Sequence, residues 1–175
     1  RRATIRAFKG PPTFLVSAIW GGVQKDGVVP EELECARRKP LSNWESTCQQ
    51  YEQRVLESLS GTESPWYLVR LPLISGDTKS GETIKYSGVH SLLKELVQEA
   101  SKPFFPASSL KLAYNPDSTL WFLPIDIAVS TFFHFIEDNA RPRICNLVST
   151  QMTLNREWLA HLAQSLNCPE IQCAE

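Results

Sequence analysis

Apolar and polar positions along this chain alternate between two periods. Residues 13–20, Thr-Phe-Leu-Val-Ser-Ala-Ile-Trp, form a short continuous apolar run of the kind that suits a buried parallel strand. The stretch before it, residues 1–9, reads as the tail of a helix closed by Gly10-Pro11-Pro12. Residues 24–42 are polar, carry Gly27, Pro30 and Pro40, and predict a loop. From Trp44 the spacing changes: Trp44, Cys48, Tyr51, Val55 and Leu59 recur every three or four residues and predict one apolar helical face, ended by Gly61. A second strand is predicted over residues 66–71 between Pro65 and Pro72, and a second helix by Val89, Leu92, Leu93, Leu96 and Val97. Residues 102–116 are proline-rich and read as irregular, packed over a pocket. Beyond Trp121-Phe122-Leu123 a buried helix is expected from Pro124, because proline is tolerated in a first helical turn and Asp126 suits its positive end. A strand over residues 144–149 and a helix carrying Leu154, Trp158, Leu159, Leu162 and Leu166 complete the series. Strands alternating with helices, with no repeat period, predict an α/β fold in a single domain over residues 1–175.

Composition narrows the class. The 175 residues are 42% hydrophobic and carry a formal net charge of −1, enough for a real core and too balanced for a nucleic-acid surface. The basic pairs Arg1-Arg2 and Arg37-Arg38 are isolated. The most apolar window, residues 120–136, is interrupted by Pro124 and Asp126 and is shorter than the roughly 20 residues of a membrane span. Five cysteines, Cys35, Cys48, Cys145, Cys168 and Cys173, follow no framework spacing, so reduced thiols in a cytoplasmic protein are expected. Cys168 and Cys173 lack the second pair that a structural zinc site needs, and no metal is expected. The outline of a phosphate-binding loop at residues 76–83 fails because Glu82 stands where a lysine is required. The chain opens on Arg1 rather than Met, and a longer parent protein is expected.

Several segments in order resemble the second half of an extended short-chain dehydrogenase/reductase of the thioester reductase and fatty acyl reductase type. Residues 16–22, Val-Ser-Ala-Ile-Trp-Gly-Gly, resemble the turn that contributes a catalytic hydroxyl, which falls on Ser17 in one register and is lost at Ala18 in the other. Residues 69–81, Val-Arg-Leu-Pro-Leu-Ile-Ser-Gly-Asp-Thr-Lys-Ser-Gly, resemble the loop that passes the nicotinamide and opens the substrate lobe. Leu123-Pro124-Ile125-Asp126 and Cys145-Asn146-Leu147-Val148 resemble later elements, and Glu52 falls on the acidic position of the helix.

The resemblance implies a partial Rossmann-like parallel sheet with helices and a small substrate-binding lobe. It also implies that the family's active-site Tyr and Lys map to Trp44 and Cys48. An indole N–H only donates, and a thiol supplies no fixed positive charge to lower a donor's pKa. Hydride transfer is therefore not expected, since the Tyr–Lys pair protonates the alkoxide that a hydride leaves. The implied cofactor-binding position is Pro72, and the implied substrate-binding positions are Gly76, Asp77 and Tyr51. The family uses NADPH, but its Gly-x-x-Gly-x-x-Gly fingerprint would lie upstream of Arg1, so no cofactor is expected in this chain. The implied partners are the upstream half of the domain, or a partner chain, and an acyl carrier protein, as in a polyketide or nonribosomal peptide synthase. Three functional readings stay open: a non-redox catalyst such as a Dieckmann-type cyclase with Ser17, Asp77 or Tyr51 as its base; a silent recognition module; and a fragment of an active reductase.

Overall fold

The computed structural model describes residues 13–23, 28–32, 39–59, 66–86, 88–102, 110–137 and 144–173. The expected helical tail at residues 1–9, Cys35 and both basic pairs lie outside them. The chain divides into two compact units, residues 1–74 with 126–148, and residues 75–125 with 149–175.

The first unit is built on a three-stranded parallel sheet in the order β1 (Thr13–Ala18), β2 (Trp66–Leu71) and β7 (Ile144–Asn146). Val, Leu and aromatic residues dominate these strands, and the middle strand β2 is the most deeply covered, as a strand enclosed on both faces should be. The register sets Phe14 beside Tyr67 and Val16 beside Val69, and it aligns Ser17, Arg70 and Asn146 in one row. Because side chains alternate faces along a strand, the two sets point to opposite sides of the sheet. One face is aromatic: Phe14 stacks on Tyr67 with ring centres 5.0 Å apart and meets the edge of Phe132 at 5.8 Å. Phe132 and Phe135 come from helix α3 (Ile125–Glu137), which starts straight after Pro124 as expected. That helix is only partly buried, with Phe133 62% exposed, so the expectation of a buried helix is corrected.

Helix α1 (Asn43–Leu59) serves the other face. Its start is fixed by side-chain caps at both sides of Ser42. The Glu45 amide donates to Ser42 Oγ at 3.1 Å, while Glu45 Oε2 accepts from the Leu41 amide at 2.7 Å. The predicted strand over residues 13–20 is shorter than expected, because the chain tightens into a 3₁₀ turn at Ile19–Gly22. The predicted strand over residues 66–71 is found as β2. The strand predicted to end at residue 149 stops at Asn146.

The second unit contains β4 (Leu110–Leu112) and β9 (Ile171–Cys173), paired in parallel, and β5 (Thr119–Leu120) and β8 (Thr153–Leu154), paired antiparallel. Helix α4 (Asn155–Ser165) packs its Leu159 and Ala163 with Cys168 and Ile171 into a buried apolar cluster, against which Leu110, Leu112 and Trp158 rest. The cluster depends on a sharp exit from α4, where Asn167 takes a left-handed φ of 52° and the Cys168 amide returns to the Ala163 carbonyl at 2.9 Å. The presence of β4 corrects the expectation of irregular structure throughout residues 102–116; the alternating apolar Leu110 and Leu112 supply its buried side. Helix α2 (Val89–Ala100) is the predicted one and has no fully buried residue. The remaining short segments are β3 (Leu73–Ser75) and β6 (Phe122–Pro124). Among the described residues no helix is long and apolar enough to cross a membrane.

Candidate functional site

The carboxyl ends of parallel strands are where α/β proteins place their sites, because chain reversals there leave a crevice. At that end of β1 and β2 the first unit has an open cleft of about 450 Å³. Ser17 and Ala18 come from β1, Leu71 and Pro72 from the end of β2, and Trp44, Thr47, Cys48 and Tyr51 from one side of α1. Five of the seven positions singled out in the sequence thus meet: Ser17, Trp44, Cys48, Tyr51 and Pro72.

The helical spacing that predicted α1 is real, but its burial is inverted. Trp44 is 53% exposed and Tyr51 39% exposed, whereas the fully buried side chain of the helix is Glu52. Trp44, Cys48 and Tyr51 of the apolar stripe line a cleft, and the residues the helix buries are Glu45 and Glu52. Arg70 explains this. It stands in the middle of the apolar strand β2 with no solvent exposure, and so do both ends of its ion pair with Glu52. The guanidinium reaches Glu52 by Nε to Oε1 at 3.0 Å and Nη2 to Oε2 at 2.9 Å, a two-pronged pairing that satisfies both carboxylate oxygens. Its Nη1 donates to the Pro30 carbonyl at 2.8 Å. Asn146 continues the row, donating from Nδ2 to the Val29 carbonyl and from its amide to Glu31 Oε1, both at 2.6 Å. The segment 28–32 is thereby tied across the strand ends.

The glycine pair Gly21-Gly22 makes room for this arrangement. A Cβ at Gly21 would lie 2.7 Å from Glu52 Oε1 and 3.3 Å from the Cβ of Cys48, and a Cβ at Gly22 would fall on the Arg70 guanidinium. Sequence reasoning had Glu52 and Arg70 only as motif positions and missed their pairing. The available signal was an arginine inside Trp-Tyr-Leu-Val-Arg-Leu, since a charge in a buried strand demands a partner.

The chemistry of the cleft follows from its neighbours. Ser17 is 8% exposed, and among the described residues its Oγ has no hydrogen-bond partner. A buried hydroxyl left unsatisfied costs about 1–3 kcal/mol, so it is a ready donor for an incoming oxygen. Burial pushes the Cys48 thiol above its ordinary pKa, and the Glu52 and Glu45 carboxylates push it further, outweighing the Ala18 backbone hydrogen bond that acts the other way. Cys48 is thus a protonated thiol at neutral pH. Trp44 is held edge-on by Trp20, ring centres 5.4 Å apart.

Gly76 and Asp77 belong to the second unit. Asp77 Oδ1 accepts from the Lys79 and Ser80 amides at 2.9 Å each, closing a turn that brings the Asp77 amide to the Glu82 carbonyl at 3.0 Å. A Cβ at Gly76 would collide with the Gly81 carbonyl, so the glycine is set by close backbone approach. The second unit has its own cleft of about 420 Å³ beside α4, lined by Tyr114, Arg156 and Glu170 among others and by none of the predicted positions. Among the described residues no group of histidine, cysteine or carboxylate side chains is arranged to hold a metal, and Cys48, Cys145, Cys168 and Cys173 are not disulfide-bonded.

No protein-family model matches the chain, and no curated protein does. Solved structures do. UDP-glucuronic acid 4-epimerase from Bacillus cereus in complex with NAD aligns with a TM-score of 0.64 at 16% identity over 93% of this chain and 49% of its own. RMD from Pseudomonas aeruginosa complexed with NADPH gives 0.61 at 16% identity over 93% and 54%, and the epimerase Mth375 from Methanothermobacter thermautotrophicus gives 0.69 at 16% identity over 94% and 46%. The chain therefore spans about half the length of the solved structures it matches. Its parallel sheet flanked by helices has the Rossmann-like α/β fold of those structures.

Proposed function

We propose that this chain is the substrate-recognising half of a thioester-reductase-like domain, and that it holds an acyl thioester delivered by a carrier protein without transferring hydride to it. The observation that carries the reading is the composition of the cleft. It sits at the strand ends where such folds work, it retains a buried unsatisfied hydroxyl at Ser17, and two of the α1 positions that line it hold Trp44 and a protonated Cys48. An orphaned donor in a largely apolar cleft suits a carbonyl oxygen at the end of an acyl chain.

The same residues fit a nicotinamide nucleotide poorly. None of the described side chains lining the cleft carries a positive charge, and burial, with the Glu52 and Glu45 carboxylates adding to it, raises the Cys48 thiol's pKa. A silent or non-redox role is therefore favoured over an active reductase.

The test is calorimetric titration of the chain with octanoyl-pantetheine and with NADPH. Saturable binding of the thioester, weakened by Trp44→Ala, with no NADPH binding and no NADPH oxidation, is the expected result. Failure to bind the thioester, or NADPH consumption coupled to aldehyde formation, would refute it.

A further inference from the structure

The helix side of the first unit's cleft is aromatic at two points and short-chained between them. Trp44 and Tyr51 stand seven residues apart on α1, about two turns and 10 Å of helix axis, and both line the cleft. Thr47 and Cys48, both small, lie between them, so a recess opens between two rings. Leu71 and Pro72 bound it from the strand side, and the buried Ser17, whose hydroxyl has no partner among the described residues, lines the same space.

The Trp44 ring is already oriented. Trp20, from the 3₁₀ turn after β1, meets it edge to face with ring centres 5.4 Å apart and planes at 65°. Whichever ring supplies the edge, such a contact covers at most one face of the Trp44 indole, and the residue stays more than half exposed. The largest apolar side chain of α1 is thus neither packed into the core nor unsupported.

We propose that the cleft selects aryl acyl groups: with the thioester carbonyl at Ser17, a ring at the end of a short acyl chain lies against the free face of Trp44, flanked by Tyr51. The inference rests on the thioester-binding reading above and names the acyl class. Burial of apolar area alone does not produce such a preference, since a saturated ring of the same carbon count removes at least as much apolar surface from water. What the aromatic wall adds is the quadrupolar contact between rings, which a saturated ring does not make.

The discriminating pair is 3-phenylpropanoyl-pantetheine and 3-cyclohexylpropanoyl-pantetheine, identical in chain length and carbon count, titrated calorimetrically into the full chain. The phenyl compound is expected to bind about fivefold more tightly, the gain of one aromatic pair beyond its buried area. In Trp44→Leu, which keeps an apolar side chain, that ratio should fall to about one, and in Trp44→Phe it should survive in part. Circular dichroism reports whether each variant is folded. A second measurement needs no variant: the phenyl protons of the bound ligand should shift upfield in the NMR spectrum, as protons over an indole face do. Equal affinities in the unaltered chain, a ratio that persists in Trp44→Leu, or phenyl protons that do not shift overturn the aryl inference alone. Binding of octanoyl-pantetheine without either ring compound does the same. Binding of none of the three overturns it together with the reading on which it rests.

Discussion

The two units of this molecule solve the same packing problem with opposite chemistry. In the second, α4 is held by Leu159 and Ala163 against Cys168 and Ile171, a small apolar cluster with no charge in it. In the first, α1 is held by Glu52 on Arg70, while Trp44, Cys48 and Tyr51 line a cleft. Apolar packing is non-directional and tolerates rearrangement of similar volume. A two-pronged ion pair fixes a helix in rotation as well as distance. A helix that must present Trp44, Cys48 and Tyr51 at one angle over Ser17 gains from the second kind of anchor, and a helix that only fills a core does well with the first.

This contrast can be broken most severely at the ion pair. Glu52→Gln leaves a buried guanidinium without its counter-charge and is expected to lower unfolding stability by about 3–5 kcal/mol, read from the midpoint of urea denaturation. Replacing Glu52 and Arg70 together by leucine and methionine should restore most of that loss but weaken octanoyl-pantetheine binding, because the anchor's directionality is gone. A double variant that is stable and binds as well as the parent would show that α1 needs no charged anchor. In the second unit Leu159→Ala should cost about 2–4 kcal/mol by leaving a cavity, with no change in thioester affinity. A large affinity change there would contradict the assignment of binding to the first unit.

A smaller effect separates the cores by pH. Burial in the first unit's aromatic core raises the Cys145 thiol from 9.0 to about 11, the Glu31 charge adding to it and Arg70 opposing it. The unfolded thiol ionises near 9 and the folded one only near 11, so the stability that a neutral thiol contributes is complete below pH 9 and is lost as the pH climbs to about 11. Cys145→Val should flatten this part of the alkaline stability curve. An unaltered decline would place its cause elsewhere.

Much of the architecture was legible because period and punctuation agree. Pro65 and Pro72 bracket β2, Pro124 with Asp126 opens α3, and the apolar runs of β1 and β2 have the continuous character of enclosed parallel strands. The site was half legible. Ser17, Trp44, Cys48, Tyr51 and Pro72 do converge. Helical spacing alone, however, does not say which side of an apolar stripe meets the core. What decides it is Arg70, 18 residues downstream of Glu52, a pairing that local periodicity does not encode. The short strands β4 and β9 escaped notice because each offers only three residues and their partner lies far along the chain.

The close fit of Gly22 against Arg70 also constrains how this sequence can drift. Two positions 48 residues apart in the chain share one volume, since the guanidinium occupies the space that any side chain at residue 22 would need. Residue 22 can therefore enlarge only after residue 70 has shrunk, and shrinking residue 70 alone strands the buried Glu52 carboxylate. The three residues are therefore coupled: a change at any one of them is costly until another has changed with it.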